Sequence, residues 1–224
     1  MIAEWESIFL SLRLAGLVTV LLLVIATPLA WWLARSRHPL RPVVEALTAL
    51  PLVLPPTVLG FYLLILLNPQ SPVGAFWREW SGGSLTFSFA GLVVASIVYS
   101  LPFAVQPLQT AFASVGRGQL EAATSLGAGP LDRFLQIVIP LSIRGYITAS
   151  VLSFSHTLGE FGIVLMMGGS IPGETRVVSI ALFEAVETLD YDTAHALAAG
   201  LIVFAFVTLL AVFALNRRFP VHVR

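Results

Sequence analysis

The 224-residue chain has no cysteine and no lysine, and only 11% of its residues are charged. Without cysteine there is no disulfide framework, no thiolate nucleophile and no Cys-based metal site. Four scattered histidines lack any HExxH-like spacing, so neither zinc nor redox chemistry is expected. A GxxxxGK[ST] phosphate loop is also missing, so the chain does not cradle ATP in the P-loop manner. No catalytic residue, metal or other cofactor is assigned, and nucleic acid is not an expected partner. What the chain has in abundance is apolar surface. Hydrophobic residues make up 57% of it and mean hydropathy is +0.91, whereas a soluble domain carries about 25% charge.

The apolar residues fall into blocks, each long enough to cross ~30 Å of hydrocarbon. They lie at about residues 14–34, 46–67, 85–113, 145–167 and 194–215. The first is too long for a secretory signal and has no basic leader, so it reads as a retained span. Arg35, Arg37 and Arg41 follow the first span, Arg117, Arg133 and Arg144 flank the loop between the third and fourth, and Arg217, Arg218 and Arg224 follow the fifth. Positive-inside counting puts these nine in the cytoplasm and the N-terminus outside. Arg78 and Arg176 lie opposite among many acids, with Arg13 near the outer end of span one. The stretch 177–189 is too short to span and carries Glu184 and Glu187, which predicts a short helix on the outer face. Pro28, Pro51, Pro55, Pro56, Pro102 and Pro107 predict kinked, protein-packed spans. The whole reads as a single all-α integral membrane domain over 1–224.

The one long cytoplasmic stretch, 114–142, reads SVGRGQLEAATSLGAGPLDRFLQIVIPLS. Residues 119–126 are good helix formers, Gly127 and Gly129 allow a sharp or left-handed turn, and Pro130 suits the first position of a second helix. Asp132 falls in that helix's first turn, where its charge complements the dipole, and Pro140 is expected to end it. Ala122, Ala123 and Leu126 share one face at spacings of three and four, a small apolar knob able to enter a cleft.

At these residues the chain resembles the permeases of binding-protein-dependent ABC importers, whose cytoplasmic signature runs EAA, three residues, G, nine residues, I-x-L-P. Glu121-Ala122-Ala123, Gly127, Ile137 and Pro140 stand at that spacing, with Ile139 where leucine is usual. The resemblance implies the type I permease fold, a dimer enclosing the path, and a coupling helix at Glu121–Gly129 docking into a separate ATP-hydrolysing subunit. Expected partners are a second copy, two ATP-binding subunits, an extracytoplasmic oxyanion-binding receptor and the lipid of a bacterial-type inner membrane. The chain itself would be a non-catalytic conduit.

The fourth span and its continuation carry GEFG, then GGSIPGET, then DYDTA, and TALPLVLPPTVLGFYLL begins at Thr48. These are similar to the molybdate permease branch, with sulfate and tungstate permeases as alternatives and a secondary anion transporter as the alternative of another class. Independently of the resemblance, Ser153, His156, Thr157 and Glu160 lie three, four and seven residues apart, one polar stripe on an apolar helix. Such a stripe lines a path or gate, with Glu160 protonated or paired with His156, or else ties the span to its neighbours. Gly159, Gly162, Gly168 and Gly169 predict close helix approach and irregular backbone.

Overall fold

A computed structural model describes residues 2–218. Arg224, assigned above to the cytoplasm with the C-terminal end, lies outside the described residues. The first element, α1 (Ile2–Arg35), is one helix of 34 residues, about 51 Å at 1.5 Å per residue. That exceeds the ~30 Å of hydrocarbon, so the helix continues well beyond the expected apolar span. Leu10, Leu14, Val18, Leu22, Ala26, Ala30 and Leu33 form its fully packed stripe, at the near-fourfold spacing that keeps one face inward.

Span two, expected as one helix over 46–67, is broken. Helix α2 (Arg41–Ala49) passes through a 3₁₀ turn (Leu50–Leu52) and α3 (Pro56–Leu66) then leaves at 109°. Proline explains the break: Pro55 takes ψ 136° rather than a helical value, it disfavours helix at Leu54 before it, and Pro56 suits the opening of the next helix. A bond from Gln109 Nε2 to Glu45 Oε1 (2.7 Å) ties α2 to the next long span. After α4 (Pro72–Ser81), α5 (Phe89–Ser114) starts at Ser88, whose hydroxyl accepts from Gly91 N–H, and runs through Pro102 and Pro107 without a break. Likewise α1 passes through Pro28 unbroken.

The stretch expected to be cytoplasmic folds as α6 (Arg117–Ser125), α7 (Pro130–Arg133), a π turn (Phe134–Val138) and α8 (Ile139–Leu141). Pro140 therefore lies inside the second helix instead of ending it. In the wide turn Ile139 N–H reaches back to Phe134 C=O, which relieves the crowding that a proline ring imposes on a regular turn. The chain then bends by 70° at Ser142 into α9 (Ile143–Gly159). A Cβ on Gly145 would stand 2.4 Å from Ala111 Cβ, so glycine is what lets α9 lie against α5.

Span four, expected as one helix, also breaks, at Glu160–Phe161, before α10 (Gly162–Gly168). Helix α11 (Val178–Glu187) occupies the stretch expected to be a short helix, but Ile180 and Ala181 are fully buried, so it is packed in rather than laid on the surface. The last element is α12 (Tyr191–Arg218). Among the described residues three helices, α1, α5 and α12, are each long and apolar enough to cross a membrane, and the two bent pairs bring the total to as many as five. The core forms where α1, α5 and α9 pack on one another, with α10 joining α3 to α5 and α11 joining α12 to α1.

Candidate functional site

The first candidate region is the corner between α6 and α7. Gly127 has φ +85°, its N–H bonds Thr124 C=O (2.9 Å) and Ala128 N–H bonds Ala123 C=O (3.0 Å). This paired closure, with glycine in the left-handed position, ends α6 as a Schellman motif. Gly129 then leads into α7, its N–H donating to Asp132 Oδ2 (3.3 Å), while Arg133 Nη1 donates to Thr124 Oγ1 (2.6 Å) and braces the corner. Of the predicted residues, Glu121, Ala122, Leu126, Gly127 and Pro140 are exposed and Ala123, Gly129 and Ile137 half-buried. Leu126 is 88% exposed, with Leu131 beside the corner at 68%. On the other side Leu120 and Phe134 pack against the main core. The corner is thus anchored by two apolar side chains and presents a small, rigid apolar tip.

The second region is the predicted polar stripe, and its geometry differs from expectation. Ser153, His156 and Thr157 lie on α9, but Glu160 stands at the break after it, extended (φ −71°, ψ 133°) rather than helical. Glu160 and His156 are therefore not a helical i,i+4 pair. His156 Nδ1 instead shares a hydrogen bond with Ser100 Oγ (2.9 Å) on α5, and its ring stacks on Phe103 at 4.0 Å. The same Ser100 hydroxyl meets Thr157 Oγ1 at 3.0 Å. Sequence reasoning missed Ser100; its only signal is a hydroxyl in an apolar span.

The Glu160 backbone closes the joint, its C=O accepting from Ser179 Oγ of α11 (2.5 Å). The carboxyl group of Glu160, only 5% exposed, makes no hydrogen bond, and the Ser96 hydroxyl comes near it without hydrogen-bond geometry. Ser153 is fully buried, also without a partner. His156 and Thr157 thus form a seam between α5 and α9 inside one chain.

A third set of contacts joins the expected outer end. Arg176 Nε donates to Glu184 Oε2 (2.7 Å), Ser170 donates to Glu184 Oε1, and Ser11 Oγ of α1 accepts from Val178 N–H (2.7 Å). Partial burial works to raise the Glu184 carboxyl, but the bonds from Ser170 and Arg176 outweigh it and hold its pKa below the ordinary range. Among the described residues no group of acids and histidines could hold a metal ion.

Residues 26–221 match the family described as binding-protein-dependent transport system inner membrane component. The molybdenum transport system permease protein ModB of Azotobacter vinelandii is 54% identical over 216 residues, covering 96% of this chain and 95% of that one. The sulfate transport system permease protein CysT of Synechocystis is 32% identical over 211 residues, 94% of this chain and 72% of that one. Among solved structures, a bacterial ABC transporter involved in import of the polysaccharide alginate superposes with a TM-score of 0.74 at 20% identity, over 96% of this chain and 79% of that one. That likeness speaks for the fold.

Proposed function

The chain belongs to the inner membrane components of binding-protein-dependent transport systems, and from that premise we propose that it is the permease subunit of a molybdate importer. It works as one half of a homodimeric conduit, with the N-terminus outside and the C-terminus in the cytoplasm. Two separate ATPase subunits supply energy, and an extracytoplasmic oxyanion receptor delivers the substrate. The observation that carries the reading is the exposed, glycine-cornered tip at Ala122 and Leu126 on a chain that otherwise exposes apolar helix faces. A rigid knob of this kind fits a cleft on a partner, and nucleotide-driven closure of two such partners would move the helices it is anchored to. The choice of molybdate is supported by 54% identity to the Azotobacter permease against 32% to the sulfate permease.

In the same reading Ser153, His156, Thr157 and Glu160 form a joint rather than a lining. His156 and Thr157 bond Ser100 of α5 inside one chain and Ser153 and Glu160 are buried in it, while the path of a dimer runs between two. Uptake of labelled molybdate by proteoliposomes holding the permease, its ATPase and its receptor tests the proposal. Uptake that needs ATP and resists excess sulfate is expected. Sulfate uptake instead would overturn the substrate, and uptake without the ATPase would overturn the importer class.

A further inference from the structure

Three segments of the chain that are far apart in sequence converge on one edge of α1. Thr27, Trp31 and Arg35 are spaced by four, so they stack along one face of the helix. Arg35 Nη2 donates to the carbonyls of Phe112 (3.2 Å), in the last turn of α5, and of Val115 (2.7 Å), the residue that caps it immediately before the helical corner. Its guanidinium lies over Trp31, 5.0 Å from the ring centre. Trp31 in turn meets Phe112 edge-on at 5.7 Å and Phe134, on the far side of the corner, at 5.4 Å. Tyr146, on α9 just after the corner's return, packs on Phe112 at 6.0 Å and bonds Thr27 Oγ1 through its hydroxyl at 3.0 Å. The chain entering the corner, the corner's second helix and the chain leaving it are all fastened to α1.

We propose that this Thr27–Trp31–Arg35 edge transmits movement of the corner into the first span, with Arg35 as a positioning residue for the coupling of ATP hydrolysis to transport. The inference rests on the function proposed above. Its physical basis is the chemistry of the contact. Phe112 is fully buried and Val115 is 4% exposed; the Phe112 carbonyl has one long bond from Val115 N–H (3.4 Å), and the Val115 carbonyl beyond the end of α5 needs a donor that water does not readily supply. A cation there also complements the negative end of the helix dipole. Arginine alone combines a stack on an indole with a donor that bridges two carbonyls; a lysine ammonium can donate but cannot stack in the same plane. A push on the tip at Leu126 therefore reaches α1 through hydrogen bonds and ring contacts as well as α5 through the backbone. Rigid, packed links of this kind carry force between sites, whereas a lone cap would only hold the end of α5.

The test uses the complete importer in proteoliposomes, measuring molybdate uptake and ATP hydrolysis together. In Arg35→Gln, assembly and basal ATPase activity should be retained while ATP consumed per molybdate moved rises by about threefold or more, and Arg35→Lys should show a smaller rise. A merely structural cap would lower both rates together and leave the ratio unchanged, so an unchanged ratio in an assembled Arg35→Gln importer overturns the inference. If Arg35→Gln does not assemble, Tyr146→Phe, which removes only the hydroxyl bonded to Thr27, decides on the same ratio. A rise supports transmission and no change overturns it. Failure of the unmutated importer to take up molybdate would instead overturn the proposed function, so the two failures are separable.

Discussion

The corner at α6–α7 and the seam between α5 and α9 are both built from short polar motifs in an apolar chain, yet they are opposite in kind. The corner is held by local bonds, from Gly127, Ala128 and Gly129 to residues no more than five away, and presents Leu126 to the outside. The seam is held by two long-range bonds, Ser100 to His156 and Thr157 across 56 and 57 residues, with His156 partly exposed and Thr157 buried. Changes at the corner should therefore alter what the chain binds without altering how it folds. Changes in the seam should do the reverse.

The largest effect expected from this contrast is at the tip. Leu126→Arg places a charge where an apolar partner cleft would close, and uptake should fall by a factor of about thirty or more, in line with loss of an interface hot spot of 2 kcal/mol or greater. Thermal unfolding of the isolated permease should move little, because an exposed surface change costs within about 0.5 kcal/mol. A large drop in the stability of the permease alone would break the contrast. In the seam, Ser100→Ala strips one hydroxyl from both His156 and Thr157, and the permease should lose about 1 kcal/mol of stability. The double change Ser100→Ala with Thr157→Val removes an orphaned partner and should cost less than the sum of the two single changes, a non-additivity that denaturation in detergent can measure.

The smallest effect concerns the Arg176–Glu184 tie. Because the Glu184 pKa is lowered in the folded chain, the tie contributes stability that is fully present above the unfolded carboxylate's pKa and is lost as pH falls through the lowered value. Glu184→Gln should thus flatten the acid limb of the stability profile and leave the profile near pH 7 almost level. An acid limb identical to that of the unmutated chain would remove the tie from the account.

Much of the corner was legible in residue order because its determinants are neighbours. Gly127 in the left-handed position, Asp132 in the first turn of α7 and the exposed face of Ala122 and Leu126 all follow from local chemistry. Pro140 was misread as a stop because the π turn that accommodates it has no marker in composition. The seam was legible only as a set of polar residues: expecting His156 beside Glu160 assumed a helix that continues, whereas the chain breaks after Gly159. Nor did the residues 2–13 announce themselves as helix, since they lack an apolar run; Ser11 is held there by Val178, 167 residues away.

Residue order by itself determined that the chain is rich in apolar helix of membrane-crossing length and that one glycine-cornered helix pair carries an exposed apolar tip, because hydrophobic length and turn chemistry act over a few residues at a time. Tertiary structure decided where the spans break, that His156 answers to Ser100, and that Thr27, Trp31 and Arg35 gather both ends of the corner. Those outcomes depend on which side chains meet across helices, and a buried polar or aromatic group takes its partner from whatever the packing brings within reach.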